Sequence, residues 1–232
     1  MDLQQAVAYL DRHINRGITL EKIDDSALDN MRSLARAFGD PQVDTPVIQV
    51  TGTNGKGSTA TMISAMLGAL GLSVGTYGSP HVSLITERIQ RNGEPIATDD
   101  LADVIELLQA VEPSLDFKPT WFELLTAAAY RYFADSAVDV AVVEVGMLGR
   151  FDATSIADPA VAVVTNVGYD HTDGRDGCRR SIAWEKAGII KPGTVLCLGE
   201  TDASLEDLFI AENPAGLLRR GSDFDCIENL LA

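Results

Sequence analysis

The run Val50-Thr51-Gly52-Thr53-Asn54-Gly55-Lys56-Gly57-Ser58-Thr59 constrains this chain more than any other part of it. An apolar stretch at 47–50 leads straight into glycines, a lysine and hydroxyl side chains, and a helical pattern follows at 58–70. Strand, glycine-rich turn and helix in that order make a phosphate cradle. Glycines let the backbone turn tightly and bring its N–H groups to phosphate oxygens. The lysine adds a point charge, a Ser or Thr hydroxyl can hold magnesium, and the helix presents its positive end. The other reading of the same letters, a glycine-rich turn with no ligand, is opposed by the strand before and the helix after. The expected ligand is Mg-ATP, bound by Gly52, Thr53, Asn54, Gly55, Lys56, Gly57, Ser58 and Thr59.

Hydrophobic periodicity places that loop in a larger architecture. Leu3, Val7, Leu10 and Ile14 repeat at helical spacing, as do Leu28, Met31, Leu34, Ala35 and Phe38, before Gly39 and Pro41 end the run. Short apolar runs at 47–50, 73–77, 138–145, 161–165 and 195–198 then alternate with helical patterns at 58–70, 99–108, 121–133 and 178–187. Such alternation predicts an α/β fold, a mostly parallel sheet covered on both faces. Asn92-Gly93 between 87–91 and 95–96 predicts an appended hairpin. A helix is expected at 203–210 and two further strands at 217–220 and 224–227.

Parallel sheets place ligands at the carboxyl ends of their strands. After 73–77 come Gly78-Ser79-Pro80-His81 and then Glu87-Arg88-Ile89, where Ser79 on its own reads as a turn residue before proline. The run 138–143 ends in Glu144, and a carboxylate closing a buried apolar strand costs desolvation energy unless it is paired or bound to a cation. Magnesium is one partner, and an ion pair with Arg150 is the other. After 161–165 stands Asn166-Val167-Gly168-Tyr169-Asp170-His171, and fifteen residues beyond His171 comes Lys186, which on its own also reads as a cation in the last turn of a helix ending at Gly188. Thr120 and Glu123 form a capping-box pattern, which makes Glu123 structural, and His13 lies on a surface-looking helix without a role.

Composition narrows the partners. Eighteen basic against 34 acidic residues give a net charge of −16, which opposes nonspecific attraction to nucleic acid or an anionic membrane. With 46% apolar residues, the 232-residue chain has material for a substantial core. No apolar run approaches the roughly 18 residues of a membrane span, and the N-terminus lacks the basic and apolar regions of a signal peptide. Cys178, Cys197 and Cys226 suggest neither a disulfide framework nor a zinc site, so a cytoplasmic protein is expected, and an acidic chain with no long apolar stripe gives no reason to expect other than a monomer.

The loop departs from G-x-x-x-x-G-K-[ST], because Gly57 stands between Lys56 and Ser58. Gly-Thr-Asn-Gly-Lys-Gly-Ser resembles the loop of the Mur ligase superfamily, and its Gly-Ser ending resembles the folate branch, the folylpolyglutamate and dihydrofolate synthases. Ser79-Pro80-His81, Glu87-Arg88-Ile89, the run from Glu144 to Thr154, and Asp170-His171 followed by Glu185-Lys186-Ala187-Gly188-Ile189 are similar to that branch in the same order. Where the branch has Glu-Val-Gly-Leu-Gly-Gly-Arg-Leu-Asp-Ala-Thr-Asn, Leu148 stands for a glycine and Ser155 for the asparagine. The resemblance implies a Mur-ligase-type ATPase domain in which Ser58, Ser79 and Glu144 bind magnesium and His171 binds a second magnesium ion. Lys186, carbamylated by carbon dioxide, would be an anionic group near the metals, with Lys56, His171 and Lys186 as the catalytic set.

The implied reaction joins L-glutamate to dihydropteroate or a reduced folate through an acyl phosphate. These enzymes are similar in having roughly twice this length, with a Rossmann-like C-terminal domain, so residues 1–232 are expected to form one ATP-binding domain with little turnover of its own. Two other readings stand beside this one. One is a Mur-type ligase for another carboxylate substrate, and the other a non-catalytic, regulatory nucleotide-binding module.

Overall fold

The computed structural model describes residues 1–14, 25–169 and 178–225. In chain order its elements are α1 (Leu3–Asp11), α2 (Asp25–Ala37), β1 (Val47–Thr51), α3 (Lys56–Ala69), β2 (Val74–Tyr77), β3 (Ile89–Arg91), β4 (Glu94–Pro95), α4 (Thr98–Val111), α5 (Trp121–Asp135), β5 (Val140–Glu144), β6 (Val161–Val164), α6 (Cys178–Ala187), β7 (Val195–Leu198), α7 (Ala203–Ile210) and β8 (Gly216–Arg219). The strands make one sheet in the order β4-β3-β2-β5-β1-β6-β7-β8. All pairings from β2 to β8 are parallel, and β3 and β4 add the expected antiparallel hairpin beside β2. Of the last two strands expected, β8 forms. Phe224 makes an isolated bridge to Arg220 instead of a strand, and Cys226 onward lies outside the described residues.

Strand alternation sorts the core. Val50 of β1, Val74 of β2, and Val140 and Val142 of β5 face one side, where Ala60, Ile63 and Leu67 of α3 cover them. Val47, Tyr77, Ala141 and Val143 face the other side, under α1, α2, α4 and α5. On that second side α6 and α7 cover Ala162 and Val164 of β6 and Leu196 and Leu198 of β7. The sheet is thus covered on both faces at β2, β5 and β1. Toward β8, on the α3 side, Val161, Val163, Val195 and Cys197 are half-buried and Leu218 is 45% exposed, so the expectation of full cover does not hold there among the described residues. At Gly75 of β2 a side chain could not fit, since a Cβ there would lie 2.5 Å from the ring of Phe133 in α5.

Helix α1 corrects the expected phase. Its buried stripe is Ala6, Tyr9 and Leu10, continued by His13 in the turn just past its end, one residue away from the Leu3, Val7, Leu10 and Ile14 spacing, and Ile14 is 50% exposed. His13 is buried, with Nδ1 2.9 Å from the Tyr9 carbonyl and Nε2 2.9 Å from Glu112 Oε1. The Thr120–Glu123 capping box forms: the Thr120 N–H donates to Glu123 Oε2 at 2.6 Å, and the Glu123 N–H donates to Thr120 Oγ1 at 3.2 Å.

Candidate active site

The loop after β1 and the segment after β6 meet at the carboxyl ends of two neighbouring strands, with α3 leaving on one face of the sheet and α6 on the other. This is a switch point, where open α/β sheets form their ligand crevices. Gly52 has φ +152, and a Cβ there would lie 1.8 Å from Thr165 Oγ1. Gly55 caps α3 in the left-handed region, φ 78 and ψ 4, with no side-chain cap. The first intrahelical bond is the Thr59 N–H to the Gly55 carbonyl at 2.9 Å, so the N–H groups of Lys56, Gly57 and Ser58 have no acceptor within the helix. No acidic residue stands in that first turn. Lys56 Nζ donates back to the Gly52 carbonyl at 3.0 Å, closing the turn on itself.

The segment after β6 braces the other half of the loop. The Thr53 N–H donates to the Asn166 carbonyl at 3.1 Å and the Asn54 N–H to Asn166 Oδ1 at 3.0 Å. Thr165 Oγ1 and Asn166 Nδ2 both donate to the Asn54 carbonyl, at 2.6 and 3.1 Å, and the Gly168 N–H donates to Thr53 Oγ1 at 2.9 Å.

Glu144 follows Val140 and Val142 in alternation, so it falls on the α3 face, at the end of β5 beside the start of that helix. It is 5% exposed. A Cβ on Gly57 or on Gly78 would each come within 3.3 Å of Glu144 Oε2, so two glycines make the space its carboxylate fills. The Ser79 N–H donates to the same oxygen at 3.0 Å. Burial pushes the Glu144 carboxyl above its usual range, against the Ser79 amide and the positive charges of Lys56 and Arg88. The alternative pairing with Arg150 is not made. Arg150 donates to Glu212 Oε1 at 2.5 Å and to the Trp184 carbonyl at 2.9 Å, with its guanidinium 3.9 Å from the Trp184 ring centre.

The loop from Gly146 to Ser155 links Glu144 to α6. Asp152, buried and pushed up by burial, accepts from the Thr154 N–H and Oγ1 at 3.0 and 2.6 Å and from the Met147 N–H at 2.8 Å. Leu148, where the resembled loop has glycine, stands at φ +58, so the backbone keeps the left-handed conformation that glycine favours. Its carbonyl accepts from Thr51 Oγ1 at 2.5 Å. Ser155, at the asparagine position, donates to the Gly149 carbonyl at 2.7 Å and accepts from Gln49 Nε2 at 3.0 Å. Gly149 packs on α6, where a Cβ would lie 3.1 Å from Lys186 Cα. Lys186 stands in the last turn of α6, as its alternative reading has it, and is fully buried. Ser58 is exposed in the first turn of α3, and His171 lies outside the described residues.

Two arrangements have no counterpart in the sequence reading. Glu87 accepts from the N–H groups of Val82, Ser83 and Leu84, and Arg88 Nε donates to His81 Nδ1 at 2.8 Å while its guanidinium sits 4.7 Å from the Trp121 ring centre. The Thr165–Asn166 brace is the second. Its only sequence signal is an asparagine directly after a strand, which any turn supplies.

Among the described residues no three His, Cys, Asp or Glu side chains gather into a metal cage, and no helix is long and apolar enough to cross a membrane. The chemistry of the donors still suits a hard cation. A carboxylate in a glycine-lined niche beside the first turn of α3 offers the one or two protein oxygens with which Mg²⁺ is held when water and phosphate supply the rest.

A parallel sheet with a glycine loop running into a helix, and a buried carboxylate at that helix's first turn, defines the class as an α/β domain of the P-loop kind. Residues 50–194 match the Mur ligase middle domain, and the chain belongs to that family. It is 39% identical to the dihydrofolate synthase/folylpolyglutamate synthase of Bacillus subtilis, over 72% of this chain and 40% of that one. Among solved structures, the Mycobacterium tuberculosis folylpolyglutamate synthase complexed with ADP superposes with a TM-score of 0.86 at 36% identity, covering 97% of this chain and 52% of that one. The bifunctional Yersinia pestis enzyme complexed with AMPPNP and Mn ion gives 0.84 at 34% identity, covering 97% and 53%. The chain thus spans about half the length of these relatives.

Proposed function

We propose that this chain is the ATP-handling part of a cytoplasmic ligase that joins L-glutamate to dihydropteroate or a reduced folate. The observation that carries the reading is the open first turn of α3, with Lys56 beneath it and Glu144 buried against Gly57. Its support from relatives is the family match over residues 50–194, which spans the site, and the ADP and AMPPNP–Mn complexes of two similar proteins. In the reaction, a substrate carboxylate attacks the γ-phosphate of ATP, giving an acyl phosphate and ADP. The amine of glutamate then displaces phosphate and leaves an amide.

The protein's task in the first step is positioning and charge. The N–H groups of Lys56, Gly57 and Ser58 and the Lys56 ammonium meet the phosphate oxygens, where the terminal phosphoryl group gathers charge in the transition state. In this reading Ser58, Ser79 and Glu144 would hold one magnesium ion and His171 a second, with a carbamylated Lys186 as an anionic group near the metals. Magnesium, when bound, offsets charge on the transferring phosphate. Carbamylation asks for an uncharged amine, and Lys186 is completely buried. A net charge of −16 leaves local groups to attract the nucleotide and speaks against nucleic acid as a partner.

The test is ADP release from Mg-ATP with and without dihydropteroate and L-glutamate, using Lys56→Ala as control. Release that needs both substrates and is lost in the variant supports the ligase. Nucleotide binding that is unchanged in Lys56→Ala would sink the reading of the loop.

A further inference from the structure

Asn166, Val167 and Gly168, just past β6, face two ways. Asn166 and Gly168 bond to Thr53 and Asn54 of the phosphate loop, but Val167, between them, gives neither backbone group to that loop. Its N–H donates to Glu200 Oε2 at 2.7 Å, and its carbonyl accepts from Arg179 Nε at 2.9 Å. Arg179 also donates to Glu200 Oε2 at 3.2 Å and to Asp202 Oδ2 at 2.7 Å. Glu200 Oε1 accepts from the N–H groups of Thr201 and Asp202 at 3.0 and 2.8 Å. The pair is largely withdrawn from water, with side chains 28% and 9% exposed. A pair so desolvated adds little to stability by itself, since attraction is offset by lost hydration. What it achieves here is to hold one residue by both of its backbone groups.

That residue is the link between two parts of the site. Arg179 lies in the first turn of α6, two turns before Lys186, and Val167 is buried in the core beneath α6 and α7. We propose that Arg179 and Glu200 are positioning residues for nucleotide binding: they clamp Val167, and through Asn166 and Gly168 they hold the Thr53–Asn54 half of the phosphate loop. Neither residue need touch the nucleotide. The loop's own turn is closed only at the Gly52–Lys56 side, so the other half is as ordered as the segment it leans on. Sites are held to useful precision by such supporting bonds. The binding consequence rests on the loop being a nucleotide site, whereas the clamp itself does not.

The experiment uses the full chain and two readouts, amide hydrogen exchange without ligand and binding of a fluorescent Mg–mant-ATP. Arg179→Met and Glu200→Ala should each speed exchange at Val167, Gly168, Thr53 and Asn54 and weaken mant-ATP binding about tenfold, the scale of one charge-assisted hydrogen bond lost behind the site. Glu200→Gln, which keeps an acceptor for the Val167 N–H, should recover most of both. Arg180→Met is the control. Arg180 is the next residue on the same helix, and it bonds to Asp207 and the Ser204 carbonyl instead, so neither readout should move. Should Glu200→Ala fail to fold, Arg179→Lys, which keeps the charge but cannot fork to three acceptors, carries the same expectation. Unchanged exchange at these four amides overturns the clamp. Faster exchange with unchanged mant-ATP affinity overturns its role in binding. Failure of the unaltered chain to bind mant-ATP counts against the proposed function alone, and exchange then still decides the clamp.

Discussion

Gly149→Ala adds one methyl group where the loop after β5 presses on α6. The new Cβ would stand 2.7 Å from the Glu185 carbonyl oxygen, 3.1 Å from Lys186 Cα and 3.2 Å from Ile189 Cγ2. Two of those three atoms are backbone, so they cannot swing aside as a side chain would. To reach ordinary contact the carbonyl must retreat by roughly 0.7 Å. The same carbonyl accepts the Arg150 N–H at 2.7 Å, and a retreat of that size stretches this bond past useful length. Overpacking costs about 1–3 kcal/mol and the weakened bond about 1 kcal/mol more. The sum, about 2–4 kcal/mol, lowers the melting temperature by about 5–15 °C in a chain of this size. Circular dichroism melts would measure it, with Gly68→Ala as the opposite case. Gly68 is inside α3 with nothing within 4 Å of its added Cβ, so alanine there should stabilise by about 0.5–1 kcal/mol. A Gly149→Ala melt within about 2 °C of the parent, with Gly68→Ala behaving as stated, would refute the seating of α6 against this loop. The placing of Lys186 would fall with it.

Two further outcomes follow from buried carboxylates. Burial raises the Glu123 carboxyl above its ordinary 4.5, more than the Thr120 bonds lower it. A folded-state value raised in this way leaves the fold unpenalised below about pH 4.5 and penalised above the raised value, as the charged form is forced into the core. Glu123→Gln, which can keep the capping box, should therefore match the parent near pH 4 and become the more stable of the two by pH 7 in urea melts. A difference independent of pH would reject this. Asp152→Ala leaves the Met147 and Thr154 N–H groups without their acceptor in a buried loop, so a loss of about 3 kcal/mol or more is expected. Nucleotide affinity should fall with it, and a melt unchanged by the substitution would show the loop to be held otherwise.

What was legible in the sequence was whatever one element's own periodicity decides. Helices α6 and α7 and strand β7 begin and end where their patterns place them, and α2 buries Leu28, Met31, Leu34, Ala35 and Phe38 as spaced. The phosphate-loop helix starts at Lys56 instead of Ser58, because a left-handed glycine caps it and no serine hydroxyl does. The phase of α1 was not legible, since its burial is decided by Glu112, 99 residues away from His13 in sequence. The partner of Arg150 was not legible for the same reason. That partner, Glu212, is 62 residues away, and nothing in the run around Glu144 announces it.

The site itself divides along the same line. Glu144 could be found because a carboxylate ending an apolar strand is locally anomalous, and strand alternation then obliges it to face α3 once Val142 does. Ser79 and Gly57 join it because β2, β5 and β1 are neighbours and all run the same way, so that the turns that follow them must meet at one edge of the sheet. What no local pattern shows is how stiffly those turns are held. Asn54 and Asn166, or Val167, Glu200 and Arg179, are ordinary polar and apolar letters whose bonds appear only when β1, β6 and β7 lie side by side. The residues that touch a ligand are therefore the readable part of such a site. Those that fix its shape emerge from topology, and substitutions at Arg179 and Glu200 separate the two contributions.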